Sequence, residues 1–287
     1  MDAHTLDRII SFALAEDIGQ GDLTTELLIP SEQISEGYIL LKTSATICGM
    51  DIVRQIFLKC DSTLRFKSSF KDGDTIPLNT KIIRLQGKTR AILSAERVAL
   101  NFLSFLSAIA TKTKAFVQAV SPYPVVILDT RKTTPGLRFL EKWAVRCAGG
   151  ANHRSRLDEM VFVKDNHGRA LSQKFSWGEM IDHIRRRTKK QIVVEVETLK
   201  QFQEVLAAKP DIILLDNMTV GQMRQAVLMN RSQKKSKKVL LEASGGIHLK
   251  NVRSIAKTGV DRISIGALTH SRQAIDFSLE LLNYQKV

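Results

Sequence analysis

The chain has 287 residues, 44% hydrophobic and 25% charged, with a formal net charge of +14 and a pI near 9.8. That length buries a large core, as one big α/β domain or two domains, and the composition is globular rather than disordered or fibrous. MDAHTLDRII carries no basic-then-apolar leader and no uninterrupted run of ~18 apolar residues follows it, so neither a signal peptide nor a transmembrane helix is expected.

From His4 to Ala15 the residues Leu6, Ile9, Ile10, Ala13 and Leu14 follow helical spacing. A Gly-rich acidic turn, Glu16 to Asp22, comes next. Tyr38–Leu41 and Ala45–Cys48 predict strands, Met50–Lys59 a helix, Asp72-Gly73-Asp74 a turn and Lys81–Leu85 another strand. Strands and helices without regular alternation make this part a small α+β unit. Ser94 is a candidate N-cap for a long helix over about 95–120, whose apolar face includes Val98, Phe102, Leu106, Ile109 and Phe116. Arg97 then falls in the first turn, where the helix dipole disfavours a cation. Two readings stay open there, a surface arginine and an arginine held for an anionic ligand.

The three cysteines, Cys48, Cys60 and Cys147, are odd in number and far apart. They form neither a zinc spacing nor a disulfide framework, which favours a reducing, cytoplasmic setting.

After Pro124 the pattern becomes regular. Six apolar runs alternate with amphipathic segments: Val125–Asp129, Met160–Lys164, Ile192–Glu197, Ile212–Asp216, Val239–Ser244 and Arg262–Gly266. Repeated βα units predict a parallel sheet, as a barrel or an open doubly wound sheet. Two basic clusters, Arg185–Lys190 and Lys234–Lys238, precede predicted strands beside helix ends, where cations are favourable. Both lack interleaved aromatics, and aromatics are 6% of the chain, so a solvated surface is the better reading than a nucleic-acid stripe.

The strand ends carry the chemistry. They supply Asp129 with Arg131 and Lys132; Lys164 with Asp165; Glu195 and Glu197; Asp216 with Asn217; Glu242 with Ser244; and Gly266. In parallel β/α folds these ends lie together on the ligand-binding side. Glu195 and Glu197 are two apart, so alternation along a strand points both the same way. The loop between the first two runs adds His153 and Arg154. Like charges gathered this way repel unless an anion sits among them. Ser244-Gly245-Gly246 and Gly266 follow consecutive strands and precede helices, an arrangement suited to phosphate. A cationic half, an acidic half and a phosphate end together suit a polyanionic substrate with Mg²⁺ held by carboxylates and substrate phosphates.

These residues carry a resemblance. EDIGQGD (16–22), AERVALNFLS (95–104), LDTRKTTPGLR (128–138), GGANHR (149–154), VKDNH (163–167), VEVET (194–198), ILLDN (213–217), EASGGI (242–247) and DRISIGALTH (261–270) occur in order over almost the whole chain. The sequence resembles the quinolinate phosphoribosyltransferases, which belong to the type II phosphoribosyltransferases. The resemblance implies an N-terminal α+β open sandwich domain, residues 1–122 with the tail 272–287 packing back on it, and an incomplete α/β-barrel domain with parallel strands, residues 123–271. It implies transfer from 5-phosphoribosyl 1-pyrophosphate to quinolinate with decarboxylation, giving nicotinate mononucleotide, pyrophosphate and CO₂ for NAD biosynthesis.

By the same resemblance Arg131, Lys132, His153, Arg154 and Lys164 hold the quinolinate carboxylates, and Arg97 reaches the site of a neighbouring subunit in a homodimer with shared active sites. Lys132, Lys164, Glu197 and Asp216 serve the chemistry and the ribose side, with Glu197 and Asp216 near Mg²⁺. Ser244, Gly245, Gly246 and Gly266 bind the 5-phosphate, with His270 near it. The expected enzyme is cytoplasmic, with no membrane or nucleic-acid partner. Ala108, Ala148 and Arg156 depart from the family pattern, and Arg156 adds bulk and charge beside the expected quinolinate pocket. Alternatives are a nicotinate-using relative, an inactive relative and, from another class, a nucleic-acid-binding protein. The intact Arg131-Lys132 and His153-Arg154 pairs favour a dicarboxylate.

Overall fold

A computed structural model describes residues 3–171, 176–233 and 239–282. The cluster Lys234–Lys238 and the last residues of the expected tail, 283–287, lie outside the described residues. In chain order the elements are α1 (Ala3–Ile18), α2 (Leu23–Leu28), β1 (Ile34–Leu41), β2 (Ala45–Thr46), α3 (Met50–Cys60), β3 (Arg65–Lys67), β4 (Thr75–Ile76), β5 (Thr80–Lys88) and α4 (Thr89–Val120). Then follow β6 (Val126–Leu128), α5 (Arg138–Cys147), β7 (Val161–Val163), α6 (Asp165–Ala170), α7 (Trp177–Arg185), β8 (Ile192–Val196) and α8 (Leu199–Ala208). The chain finishes with β9 (Ile212–Asp216), α9 (Val220–Arg231), β10 (Leu240–Ser244), α10 (Leu249–Ala256), β11 (Arg262–Ser264), α11 (Ala267–His270) and β12 (Phe277–Leu281).

The elements form two compact units, one of Met1–Lys112, Phe139–Ala148 and Arg272–Val287, the other of Thr113–Arg138 and Gly149–Ser271. In the first, an antiparallel sheet has the order β12-β1-β5-β3. β1 alternates exposed and buried residues along most of its length, so Ile39 and Leu41 enter the core while polar neighbours face out. The segment 139–148 belongs to this unit by its contacts, whereas the βα alternation assigns residues 123–271 to one domain. Side chains explain the difference. Trp143 Nε1 donates to Asp72 (3.1 Å), and the fully buried Glu141 carboxylate lies 3.9 Å from the Arg272 guanidinium.

The long helix starts earlier than Ser94 suggests. It runs from Thr89, and Ser94 instead donates its hydroxyl to Asp22 (3.1 Å). Asp22 also caps α2 by accepting from the Thr25 N–H (3.1 Å), and these bonds hold its carboxyl below the ordinary value. The acidic turn before α2 therefore ties two helices together. Arg97 is consequently well inside α4, exposed, and not in the first turn, so the dipole argument does not apply to it. By length and composition α4 is apolar enough to cross a bilayer, contrary to expectation, but 61% of its most apolar stretch is buried within the protein. That is the behaviour of a core helix.

In the second unit all six expected runs form strands of one sheet, in the order β6-β11-β10-β9-β8-β7. Each recorded pairing among them is parallel. Chain neighbours are sheet neighbours from β7 to β11, and β6 returns beside β11. The sheet thus curls as a barrel left open between β6 and β7. On the open side Ala151 makes a single parallel bridge to Leu128. The inner residues Val193, Ile212 and Leu214 are buried, with Phe162, Met160 and Leu240 packed against them. Removing a side chain such as Ile212 from that cluster costs about 2–5 kcal/mol. After β8 and β9 the helices begin with Thr198 and Thr219 as N-caps, each in a capping box with a glutamine, so the turn from strand end to helix is fixed.

Candidate active site

At the C-terminal ends of these strands lies a cleft of about 870 Å³. Its wall takes Arg131 and Lys132 after β6, His153 and Arg154 after the Ala151 bridge, Phe162 and Lys164 at β7, and Glu195 from β8. Asp216 and Asn217 end β9, Ser244-Gly245-Gly246 end β10, and Ser264, Gly266 and His270 complete the ring. The geometry of a parallel barrel explains the gathering, since every strand delivers its last residues to the same rim.

Asp129 shapes the cationic loop. Its carboxylate is fully buried and accepts hydrogen bonds from Asn152 Nδ2 (2.6 Å) and the His153 N–H (2.9 Å). His153 Nδ1 in turn accepts from the Arg154 N–H (2.8 Å). An accepting Nδ1 leaves the ring proton on Nε2, which faces the Glu242 carboxylate at 3.5 Å. Glu242 is fully buried on β10, and its other oxygen lies 3.4 Å from Arg262 Nε. Burial pushes the Glu242 carboxyl above the ordinary carboxylate value, with Arg262 the strongest opposing influence, then Ser264 and Lys164.

Phe162 binds the cations together. The His153 ring stacks on it with centroids 5.5 Å apart, Arg154 lies 5.0 Å and Lys164 4.4 Å from its centroid. Each cation facing a ring gains about 0.5–2 kcal/mol, which offsets part of their mutual repulsion. Arg154 also donates to the Met160 carbonyl (3.0 Å), and burial followed by the charge of Arg131 pulls its guanidinium pKa down. Lys164 pairs with Glu195, which is 11% exposed.

The phosphate end is built from close approach. Gly245 has φ +87°, and a Cβ there would collide with the Asn217 side chain and meet its backbone nitrogen at 2.9 Å. A Cβ on Gly266 would meet His270 Nε2 and Lys132 Cδ, each at 3.1 Å. The Thr269 hydroxyl donates to the Lys132 carbonyl (2.6 Å), fixing the lysine backbone. The absence of a side chain at Gly266 thus lets Lys132 and His270 approach the backbone there.

The structure brings Arg131, Lys132, His153, Arg154, Lys164, Asp216, Ser244, Gly245, Gly246, Gly266 and His270 to one cleft. Glu197 is not among the lining residues; Glu195 is. Strand β8 ends at Val196, so Glu197 stands one residue past it, yet it still shares a cavity with Glu195 as the alternation predicts. Its N–H bonds to Gln201 Oε1 at the start of α8 (2.9 Å), and it lines a neighbouring cavity of about 1020 Å³ with Glu195 and Lys164. Arg97 lies on α4 in the first unit. Arg156 is exposed and paired with Asp158 (3.3 Å) and Glu159 (3.7 Å), so its charge is met within its own loop. Ala108 and Ala148 are buried. Phe162 was not singled out from sequence, although it precedes Lys164 by two positions and so shares its face. Glu242, recognised only as a strand end, turns out to support His153.

The chain matches two family models along its length, the N-terminal domain of quinolinate phosphoribosyl transferase over residues 22–107 and its C-terminal domain over residues 109–280. It belongs to the quinolinate phosphoribosyl transferase family. A curated quinolinate phosphoribosyltransferase [decarboxylating] of Nicotiana tabacum is 40% identical over 97% of this chain and 83% of its own length. A probable nicotinate-nucleotide pyrophosphorylase [carboxylating] of Bacillus subtilis is 37% identical, covering 96% of this chain and 93% of its own. Among solved structures, the nicotinate-nucleotide pyrophosphorylase of Francisella tularensis superposes with a TM-score of 0.91 at 36% identity, over 98% of both chains. Within the quinolinate phosphoribosyl transferase family frame, the incomplete parallel barrel and the antiparallel first unit are the expected architecture.

Proposed function

We propose that this chain is a quinolinate phosphoribosyltransferase that transfers the phosphoribosyl group of 5-phosphoribosyl 1-pyrophosphate to quinolinate and releases pyrophosphate and CO₂, making nicotinate mononucleotide for NAD biosynthesis. The observation that carries the site assignment is the convergence of five cationic or imidazole side chains, Arg131, Lys132, His153, Arg154 and Lys164, on one cleft that also holds a glycine-built end. Two carboxylates on adjacent ring positions need several donors at once, and the presence of Arg131, His153 and Arg154 in one cleft supports that role for them. The ribose 5-phosphate belongs at Ser244, Gly245, Gly246 and Gly266, with His270 beside it.

The chemistry is largely electrostatic and positional. As the bond from the anomeric carbon to pyrophosphate breaks, positive charge grows on the ribose, where Asp216 and Glu195 offer negative charge. The pyridine nitrogen forms the new bond to that carbon. When the adjacent C–CO₂ bond breaks, its electron pair stays on the ring carbon, where the neighbouring pyridinium nitrogen stabilises it, and that carbon then takes a proton. Lys132 and Lys164 are the candidates for neutralising the departing pyrophosphate and for supplying that proton. Holding two mutually repelling anions in line is worth a large share of the barrier.

Mg²⁺ fits this donor set as a metal shared with substrate. Among the described residues no set of three ligating side chains in the cleft converges within 4.8 Å, so the residues present suit an ion held by Asp216 together with phosphate and ribose oxygens. When bound, it neutralises charge on the leaving pyrophosphate. A dimer in which Arg97 of one subunit completes the other's quinolinate site, and a cytoplasmic location, belong to the same reading. Purified protein is incubated with quinolinate or nicotinate, 5-phosphoribosyl 1-pyrophosphate and Mg²⁺. Nicotinate mononucleotide and equimolar CO₂ from quinolinate alone, abolished by a chelator, are the expected result. Product only from nicotinate would retain the fold and overturn the substrate assignment.

A further inference from the structure

Three groups with metal-ligand or nucleophilic character meet in the first unit, none of them among the residues lining the cleft: Cys48, Asp72 and Cys147, whose ligating atoms all lie within 4.8 Å of one another. Asp72 is already committed. Its Oδ1 accepts from the N–H groups of Gly49 (2.9 Å) and Met50 (3.0 Å), and its Oδ2 accepts from Trp143 Nε1 (3.1 Å). A carboxylate so occupied is a poor metal ligand, and two sulfurs alone fall short of the four donors of a structural zinc site. What remains is a pair of thiols from distant parts of the chain, held face to face.

The backbone around them is clamped. The Gly73 N–H donates to the Ile47 carbonyl (2.9 Å), the Ile47 N–H to the Asp74 carbonyl (3.0 Å), and the Cys48 N–H to Ser107 Oγ (3.0 Å). A Cβ on Gly73 would stand 2.5 Å from the Cys147 carbonyl, so the 72–74 turn sits directly on the end of α5. Both cysteines are therefore presented by fixed segments. Their environments differ. Cys48 is fully buried, whereas Cys147 is partly exposed. A hydrogen bond from Cys48, aided by Arg146, pulls the Cys147 thiol below its ordinary value against burial and Asp72, while the same bond, then burial and the charge of Asp72, raise Cys48.

We propose that Cys48 and Cys147 are a redox-active pair, in which Cys147 reacts with a peroxide and Cys48 closes a reversible disulfide. The Cys147 thiolate attacks one oxygen of hydrogen peroxide, the O–O bond breaks, and the sulfur becomes a sulfenic acid as the other oxygen leaves, protonated, as water. The Cys48 sulfur then attacks the Cys147 sulfur. The S–O bond breaks, the S–S bond forms, and the Cys48 proton departs with the oxygen as a second water. Two thiols lose two electrons and two protons, and the peroxide is reduced to two waters. Side-chain rotation brings the sulfurs from their present separation to the ~2.05 Å of a disulfide. A dithiol reductant reverses the change.

The test uses the intact chain and does not depend on turnover. Reduced protein is treated with hydrogen peroxide, free thiols are alkylated, and a non-reducing digest is mapped by mass spectrometry. The expected product is a peptide joining Cys48 to Cys147, two hydrogens lighter than its separate halves and abolished by dithiothreitol, with Cys60 still alkylated. In Cys48→Ser, dimedone is expected to tag Cys147, because the resolving thiol is gone. In Cys147→Ser, Cys48 is expected to stay a thiol. Both cysteines remaining alkylated at a peroxide dose that oxidises Cys60 would overturn the proposal, as would dimedone on Cys48 instead of Cys147. The mapping of the unsubstituted chain holds even if a serine variant fails to fold.

Discussion

Glu242 lies beneath His153, its fully buried carboxylate 3.5 Å from the imidazole Nε2 on one side and 3.4 Å from Arg262 on the other. Because Nδ1 of His153 accepts from the Arg154 backbone, Glu242 holds the ring in one tautomer and one orientation. Glu242→Gln is expected to raise the quinolinate KM on the order of tenfold, which is about 1.4 kcal/mol of lost positioning. Steady-state kinetics together with a melting curve separate this from a loss of fold.

The same carboxylate gives opposite pH trends in activity and stability. Its folded value is raised above the ordinary 4.5 by burial, so the folded chain takes up this proton before the unfolded chain does. Between that raised value and 4.5, its contribution to stability therefore increases as pH falls, and it levels off below. Protonation meanwhile removes the charge that faces His153, so kcat/KM for quinolinate is expected to fall over the same window. Glu242→Gln should flatten both trends. A parent and variant with superimposable profiles would sink this role.

Lys132 is exposed; its backbone carbonyl accepts from the Thr269 hydroxyl and its side chain lies beside Gly266. Lys132→Ala is expected to cut kcat/KM by roughly 100-fold or more while changing stability by no more than about 0.5 kcal/mol. Near-normal turnover would remove Lys132 from the site. Arg154→Ala is expected to lose activity too, but with a measurable drop in melting temperature, because its guanidinium also anchors the Met160 carbonyl.

Glu195 and Glu197 separate two readings of one motif. Glu195 faces the cleft and pairs with Lys164; Glu197 stands beyond the strand end. Glu195→Gln is expected to lower kcat at least about tenfold, and Glu197→Gln to lower it much less. The reverse order would return the ribose-side role to Glu197.

Gly245→Ala tests the phosphate end. The substitution forces a side chain into a left-handed position already filled by Asn217, at a cost of about 1–3 kcal/mol for the backbone alone. A higher KM for 5-phosphoribosyl 1-pyrophosphate and a lower melting temperature are expected together. An unchanged KM in a folded variant would exclude this loop as the phosphate cradle.

Much of this was legible in the residues themselves. The six strands announced themselves as apolar runs, and their polar ends marked the rim, because parallel βα order forces both properties. Asp129, Lys164 and Asp216 were found that way. Less legible were relationships created by packing between distant segments. Ser94 looked like a cap because its partner, Asp22, is remote in the chain. Glu197 looked equivalent to Glu195 because spacing does not reveal that a strand stops at Val196. Phe162 carries no sequence signal of its role, because its contacts with three cationic or imidazole groups come from the surrounding loop and strand end. The Cys48 and Cys147 pair could not be inferred from spacing at all.

The opening between β6 and β7 has a consequence for how the enzyme adapts. From β8 to β11 a side chain on the rim is held by a strand paired on both sides, so moving it disturbs its neighbours. Along the open seam Ala151 bridges to Leu128, Asp129 gathers Asn152 and His153, and the side chains of His153 and Arg154 pack on Phe162 of β7. Residues 151–156 are thus held by side-chain contacts and a single bridge where the rest of the wall has a strand ladder. Insertions, substitutions or a differently shaped diacid should be absorbed there first, leaving the ribose and phosphate side unaltered. Under the proposed function, the diacid side of the cleft and its phosphoribosyl side would then be held by different kinds of contact.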